Sequence, residues 1–297
     1  MEISVIILNW HAAHDTIACV NAFSDWHTIT PHIFVVDNGS TKMDSEQITA
    51  VCPHVHLLKN KTNLGFAGGN NTGIRAALEK YPTTPILLLN NDATLAESAA
   101  LALLEALHTN VTAGCVGPLL IDSLQPEKIL AAGGNNPVQH LRSHRQPSTA
   151  FKQPFDVDYV PGTAILIRAD VFRRIGLLDE RYFFSMEIAD FCHRARQVGF
   201  QSIIVPTATA SHSIQRSGAR RKSLYPYYTI RNRFLFLRKH YARYATLWMF
   251  WIAYSFALMV KTALAGERAL SRAVWLGLAD GVRGRFGNQN AHFLGGK

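Results

Sequence analysis

The chain has little of what staples small folds or cages zinc: four cysteines in 297 residues, at Cys19, Cys52, Cys115 and Cys192, with no CxxC pair among them. That scatter excludes a disulfide framework and a cysteine zinc site, and it points to a reducing compartment. No GxxxxGK[ST] run occurs, which removes the P-loop. No GxGxxG follows the first apolar run either. Asn9-Trp10-His11 stand there instead, so a dinucleotide-binding Rossmann unit is disfavoured. Internal repeats are absent. No leader precedes Ile3-Ser4-Val5-Ile6-Ile7-Leu8, and the fold is expected to begin at the N-terminus. Acid is scarce in one place only. Residues 213–297 hold 15 Lys and Arg against Glu267 and Asp280, net +13, whereas residues 1–212 are net −4. The basic excess therefore belongs to the C-terminal third and suggests an anionic partner there.

At 48% hydrophobic and 17% charged the chain can bury a sizeable core, and disorder is unexpected. Apolar runs at Ile3–Leu8, His32–Val36, Val55–Leu58 and Ile86–Leu89 alternate with helical stretches near Asp15–Phe23, Ser45–Val51 and Asn71–Lys80. This rhythm predicts βαβ units on a mostly parallel sheet. A helix over Ala96–His108 leads to an apolar run at Cys115–Ile121. Asp122–Asp156 is rich in Pro, Gly, Asn and Gln and reads as a long loop or excursion. Order resumes at Tyr159–Ile167, followed by helices near Ala169–Ile175 and Glu187–Val198 and a strand at Ser202–Val205.

Two of the apolar runs end in a carboxylate: Val35-Val36-Asp37-Asn38-Gly39-Ser40 and Leu88-Leu89-Asn90-Asn91-Asp92. In open α/β sheets ligands bind beyond the carboxyl ends of the strands, so the two aspartates point to one crevice. Asp92, flanked by amides, suits a hard metal ion. Singly, each aspartate is also consistent with capping the next helix. Between them lies Asn63-Leu64-Gly65-Phe66-Ala67-Gly68-Gly69-Asn70-Asn71, whose glycines would allow close approach of backbone to a ligand. Downstream, Tyr182-Phe183-Phe184-Ser185-Met186-Glu187-Ile188-Ala189-Asp190 sets two acids at i and i+3 at a helix start, on one face. They either meet the helix dipole or supply a general base. His212, after a strand and Pro206, reads equally as a structural histidine or a metal ligand.

In this order the motifs resemble the family 2 glycosyltransferases with the GT-A fold, especially those similar to rhamnosyltransferases of surface-polysaccharide assembly. The likeness covers roughly residues 2–240 and includes Tyr228-Thr229-Ile230-Arg231-Asn232-Arg233. It implies an α/β GT-A domain over residues 1–224 and inverting transfer of a sugar, rhamnose among the candidates, from a nucleoside-diphosphate donor to a polyprenyl-linked or glycan acceptor. By position, Asn9, Asp37, Asn63, Gly65, Asn71 and Asn91 would line the nucleotide-sugar site. Asp92 would hold Mg2+ or Mn2+ with His212 as a further ligand. Two positions depart from the family. Its metal motif is commonly Asp-x-Asp, and Asn90 takes the first place here. The Glu-Asp pair that commonly supplies the base reads Glu187-Ile188, which leaves Glu187 as the first candidate base and Asp190 as the second.

From residue 225 onward the character changes. A basic, apolar-interleaved segment, Arg231–Tyr241, precedes an uncharged run, Ala245–Val260, that Lys261 interrupts. It falls short of the roughly 20 residues of a perpendicular span. The expectation is a helical region over 225–297 lying on the anionic cytoplasmic face of the plasma membrane, peripheral or half-inserted. A true span and a buried core or dimer helix are the alternatives. Nucleic acid is not an expected partner, because the Trp and Phe residues form one uncharged block instead of interleaving with the cations. Asn90 and Ile188 also leave open a catalytically silent scaffold subunit of a polysaccharide-assembly complex.

Overall fold

The computed structural model describes residues 1–141, 152–212 and 219–291. Among them ten strands form one sheet, with eight in the order β3-β2-β1-β4-β9-β6-β10-β5. They are β1 (Glu2–Asn9), β2 (Thr30–Asn38), β3 (His56–Asn60), β4 (Ile86–Asn90), β5 (Ala93–Leu95), β6 (Ala113–Asp122), β7 (Ile129–Ala131), β8 (Phe155–Val157), β9 (Ala164–Ile167) and β10 (Gln201–His212). The four strands β3-β2-β1-β4 are parallel, as the βαβ rhythm predicts. Beyond β4 the sheet is mixed: β9 runs antiparallel to β4 and to β6, while β6 and β10 pair in parallel.

The strands read as unbroken apolar runs because both sheet faces are covered. Ile3, Val5 and Ile7 of β1, Ile33 and Val35 of β2, and Leu87 and Leu89 of β4 pack under helices α1 (Ala13–Asn21), α2 (Lys42–Val51) and α4 (Glu97–Thr109). The alternate residues Ile6, Phe34, Val36, Ile86 and Leu88 face α3 (Gly65–Lys80), α5 (Ala169–Ile175) and α6 (Glu187–Gln197). The Asp122–Asp156 stretch departs from a plain loop, since Ile129–Ala131 forms β7 against β6 and Phe155 and Asp156 pair with β10. Residues 142–151 of that stretch lie outside the described residues.

Three further helices, α7 (Ala219–His240), α8 (Ala245–Leu264) and α9 (Arg268–Arg283), complete the described chain. They share a core with the segment before α6 and with α6 itself: Tyr182 and Ala189 pack with Phe234, Leu237, Trp251, Val274 and Leu278. Helices α7 and α9 lie close together because Gly277 and Gly281 present no side chain. A Cβ at those positions would sit 2.6 Å from Tyr227 O and 2.6 Å from Phe234 Cδ2. Arg231, Asn232 and Arg233, which the sequence places on a basic surface helix, are buried.

Candidate active site

The carboxyl ends of β1, β2 and β4 align in register, Asn9 opposite Asp37 and Leu8 opposite Asn90. Short polar side chains knit this edge together. Asn9 Nδ2 approaches Asp37 Oδ1 at 3.4 Å and donates to Ser40 Oγ at 3.2 Å, while Thr16 Oγ1 donates to Asn9 Oδ1 at 2.9 Å. Asn91 Nδ2 donates to Thr16 Oγ1 at 3.0 Å, tying the β4 turn to the same network. Asp37 is buried, accepting the Ser40 N–H at 3.2 Å and the Ser45 hydroxyl. Asn63 Oδ1 accepts from the Gly65 N–H at 2.7 Å and from Asn38 Nδ2 at 3.1 Å, so the loop before α3 is moored to the same edge.

Asp92 and His212 meet through a three-residue strand. After β4 the chain turns through Asn91 and Asp92 into β5, which pairs antiparallel with the far end of β10, Ala93 opposite His212. That register sets His212 Nε2 3.2 Å from Asp92 Oδ1. The histidine is buried, and its Nε2 has no hydrogen-bond partner among the described residues. A carboxylate oxygen and an imidazole nitrogen thus stand together, 3.2 Å apart. This donor pair fits a divalent cation whose remaining ligands come from a substrate's oxygens. Among the described residues no three acids, histidines or cysteines gather as a complete metal cage.

A cavity of about 630 Å3 opens beside this pair, lined by Asn90, Thr163, Glu187, His212 and Thr229 among polar residues, and by Phe66, Tyr159, Phe184 and Tyr225 among aromatic ones. Glu187 is buried at the first position of α6, and its Oε2 has no hydrogen-bond partner among the described residues. Loss of water raises its carboxyl to about 7, opposed by its own backbone N–H and assisted by the nearby Asp190 charge. Ile188, at the family's usual acid position, is buried in the apolar layer with Phe191 and Cys192.

Asp190 lies one turn on and has the opposite environment. It is fully buried, yet it takes His240 Nε2 at 2.8 Å, Arg194 Nε at 2.9 Å, Lys239 Nζ at 2.5 Å and Tyr182 Oη at 3.3 Å. Burial alone would raise its carboxyl, but His240, Arg194 and Lys239 hold it well below the ordinary carboxylate range. A carboxylate so held is a poor proton acceptor, and its lone pairs are engaged by the tail. The i, i+3 spacing suggests one face and one role for the two acids. Partners supplied by α7 separate them.

The glycines after Asn63 serve packing. A Cβ on Gly69 would sit 2.4 Å from Leu8 Cδ1 and one on Gly73 2.5 Å from Ile6 Cγ2, so α3 lies directly on β1. Gly65, with φ +75°, would place a Cβ 2.2 Å from Phe183 O. Asn71 is buried as a clasp, donating to Leu178 O and Glu180 Oε1, each at 2.9 Å, and accepting the Leu178 N–H at 3.1 Å. Gly65 and Asn71 therefore touch the segment that leads to Glu187, and their polar groups are occupied there. Sequence reasoning missed Thr229 and Tyr225, which line the cavity from α7. Their motif was visible, but a basic helix carries no local sign that it faces a site.

The profile of glycosyl transferase family 2 matches residues 4–176. The chain is similar to the low-salt glycan biosynthesis hexosyltransferase Agl10 of Haloferax volcanii, 28% identical over 246 residues covering 79% of this chain and 75% of that protein. It is also similar to the N-acetylglucosaminyl-diphospho-decaprenol L-rhamnosyltransferase of Mycobacterium tuberculosis, 30% identical over 209 residues covering 63% of this chain and 68% of that one. Among solved structures, the mannosyltransferase PcManGT of Pyrobaculum calidifontis in complex with GDP-Man and Mn2+ superposes with TM-score 0.60 at 13% identity, over 95% of this chain and 87% of that one. GalNAc-T7 with UDP, GalNAc and Mn2+ gives TM-score 0.58 at 18% identity over 72% of this chain, which spans 44% of the GalNAc-T7 chain. Both are glycosyltransferase structures, and the likeness establishes the GT-A fold.

Proposed function

The chain belongs to glycosyl transferase family 2 and is a glycosyltransferase of glycan synthesis, and on that premise we propose how its residues divide the work. The reaction is inverting transfer of a hexose, rhamnose among the candidates, from a nucleoside-diphosphate donor to a hydroxyl of a lipid-linked or polysaccharide acceptor. The similar mycobacterial and haloarchaeal enzymes, named for a decaprenyl-diphosphate-linked substrate and for glycan biosynthesis, support this choice. One observation carries it: a buried glutamate with an oxygen unpartnered among the described residues shares a cavity with His212, beside Asp92.

Glu187 accepts the proton of the acceptor hydroxyl as that oxygen attacks the anomeric carbon, and the bond from that carbon to the diphosphate breaks. A carboxyl near 7 is matched to this task, about half ionised at neutral pH yet basic enough to take a proton. Asp92 and His212 would hold Mg2+ or Mn2+, which when bound offsets the negative charge on the departing nucleoside diphosphate. With Asn90 in place of a second acid, the protein supplies one carboxylate there, so tight metal binding needs the donor's oxygens. The nucleotide lies across the edge formed by Asn9, Asp37, Asn63 and Asn91, while Gly65 and Asn71 shape that edge by fixing α3 to the segment before α6. The acceptor sugar enters from the α7 side, against Tyr225 and Thr229.

The tail brings this site to the cytoplasmic face of the membrane. Helix α8 is long and apolar enough to cross a bilayer by length and composition, but Trp251, Ser255 and Thr262 are buried against the neighbouring helices. Its outer face leaves Met249, Phe250, Ile252, Phe256, Val260 and Leu264 exposed, with Lys261, Arg268, Arg272 and Trp275 nearby in sequence. This pattern suits a half-inserted helix on an anionic surface, since a span would strip α8 from its buried contacts.

The test is a screen of nucleotide sugars with Mn2+ or Mg2+ and a lipid-linked acceptor, read as nucleoside diphosphate release. Acceptor-dependent release with one donor supports the reading. No release from any donor, with the protein folded and membrane-bound, contradicts it.

A further inference from the structure

The segment before Glu187 is held in a conformation that side chains rarely adopt. Phe183, Ser185 and Met186 have φ of 61°, 74° and 70°, three left-handed non-glycine residues among four. Such a turn persists only where its surroundings over-determine it. Here the surroundings are two side chains from a helix about 50 residues away in sequence. Arg231 Nη2 donates to Tyr182 O at 2.8 Å and to Arg181 O at 3.2 Å, and its Nη1 donates to Gly287 O at 2.6 Å. Asn232 Nδ2 reaches Tyr182 O at 3.0 Å, Phe184 O at 2.8 Å and Ser185 O at 2.7 Å. Asn232 Oδ1 in turn accepts Arg231 Nε at 2.9 Å and Nη2 at 2.7 Å, which locks the pair together. The remaining carbonyl, Phe183 O, takes the Phe66 N–H at 2.7 Å. Every carbonyl from Arg181 to Ser185 thus has a donor, and both clamp residues are fully buried.

We propose that Arg231 and Asn232 are positioning residues that hold the 182–186 turn so that Glu187 enters α6 with its carboxylate facing the cavity. The proposal rests on the reading of Glu187 as the base. The buried arginine's charge is met by carbonyl oxygens, by the rings of Tyr228 and Tyr227 at 4.6 and 5.7 Å, and by the Asp280 carboxylate, which Tyr227 Oη also contacts at 2.8 Å. The clamp explains why the asparagine must be an amide, since its –NH2 serves the turn while its oxygen serves the arginine. Neither function is available to a membrane-facing basic helix.

The experiment uses the full chain and compares Asn232→Ala, Arg231→Lys, Glu187→Gln and the double variant Asn232→Ala with Ser185→Gly. For each, kcat and KM for donor and acceptor, the pH at half-maximal kcat and the melting temperature are measured. Asn232→Ala should lower kcat by about 10- to 100-fold with donor KM within about threefold, because misplacing a reacting group by an ångström has that scale of effect. Its acid limb should move to lower pH as Glu187 gains water. Glycine tolerates φ near 74°, so Ser185→Gly should return about tenfold of the lost kcat. If Asn232→Ala fails to fold, Arg231→Lys, which keeps the charge but loses the fork, carries the same test. Lower melting temperatures with normal kcat and an unmoved acid limb would reduce the clamp to a fold element and overturn the proposal. A fully active Glu187→Gln enzyme would instead overturn the base assignment, so the two failures are distinct.

Discussion

The two sides of the site are built by different means. At the sheet edge, Asn9, Thr16, Asp37, Ser40, Ser45 and Asn91 are short side chains whose partners are delivered by adjacent parallel strands and the turns and helices that follow them. On the α6 side, the partners are long cations and amides from α7: Arg231, Asn232, Lys239 and His240. The first arrangement follows from register, the second from docking of a distant helix. Within the second, two carboxylates three residues apart diverge. Glu187 has an oxygen with no hydrogen-bond partner among the described residues and is raised to about 7, while Asp190 is surrounded by Lys239, Arg194 and His240 and held far below. Position on the helix does not set the chemistry of an acid. What the neighbouring helix places beside it does.

The largest effect is expected where the sheet edge meets the donor. Asp92→Ala should lower transfer by roughly 10³-fold, as should chelation of the wild type, because several kcal/mol of leaving-group stabilisation go with the ion. Full activity in chelator would remove the metal from that side of the comparison.

Asp190→Asn should act on stability. It removes the buried carboxylate that His240, Arg194 and Lys239 share and leaves Lys239 only Asp179, a loss of about 3–5 kcal/mol by chemical denaturation, while kcat per folded molecule stays within about threefold. Because its carboxyl is depressed in the folded protein, Asp190 stabilises at pH above the ordinary aspartate range, and that contribution fades as pH falls. The variant should therefore lose less stability on acidification than the wild type. Equal slopes would mean the anchor carries no charge.

Glu187 predicts the reverse sign. Its carboxyl is raised in the folded state to about 7, so the fold is favoured while the group is protonated and loses that advantage as pH rises through 7. Glu187→Gln should be more stable than wild type at pH 8 by roughly 3 kcal/mol, and the gap should close below about pH 4. No gap at pH 8 would place the carboxylate in water.

The smallest expected effect concerns the outer face of the tail. Phe256→Ser with Leu264→Ser should reduce pelleting with anionic liposomes by about tenfold and leave melting unchanged, since both side chains are exposed, 53% and 85%. Unchanged pelleting would move membrane contact off α8.

The contrast between the two sides also marks what could be read from sequence. The strands of the parallel half are legible because burial on both faces writes them as apolar runs. The pairing of Asp92 with His212 needed β5, three residues that no period reveals. The clamp and the anchor were hidden for another reason. A helix carrying Arg231, Arg233, Arg238 and Lys239 among Phe and Leu looks the same whether its cations face phosphates or carbonyls. Here Arg233 reaches Pro137 O and stacks over Trp251 at 4.2 Å, Arg238 meets Val282 O, and Lys239 meets Asp179. Arg231, Arg233 and Lys239 are therefore internal, whereas Arg238, Arg243, Lys261, Arg268, Arg272, Arg283 and Arg285 are exposed.

The division between Glu187 as base and Asp190 as anchor is tested most directly by kcat for Glu187→Gln and Asp190→Asn, each with donor affinity measured separately on folded protein. The account predicts a fall of roughly 10²-fold or more for Glu187→Gln with donor affinity retained, beside a near-normal Asp190→Asn enzyme. A near-normal Glu187→Gln enzyme beside an inactive, folded Asp190→Asn enzyme would contradict it.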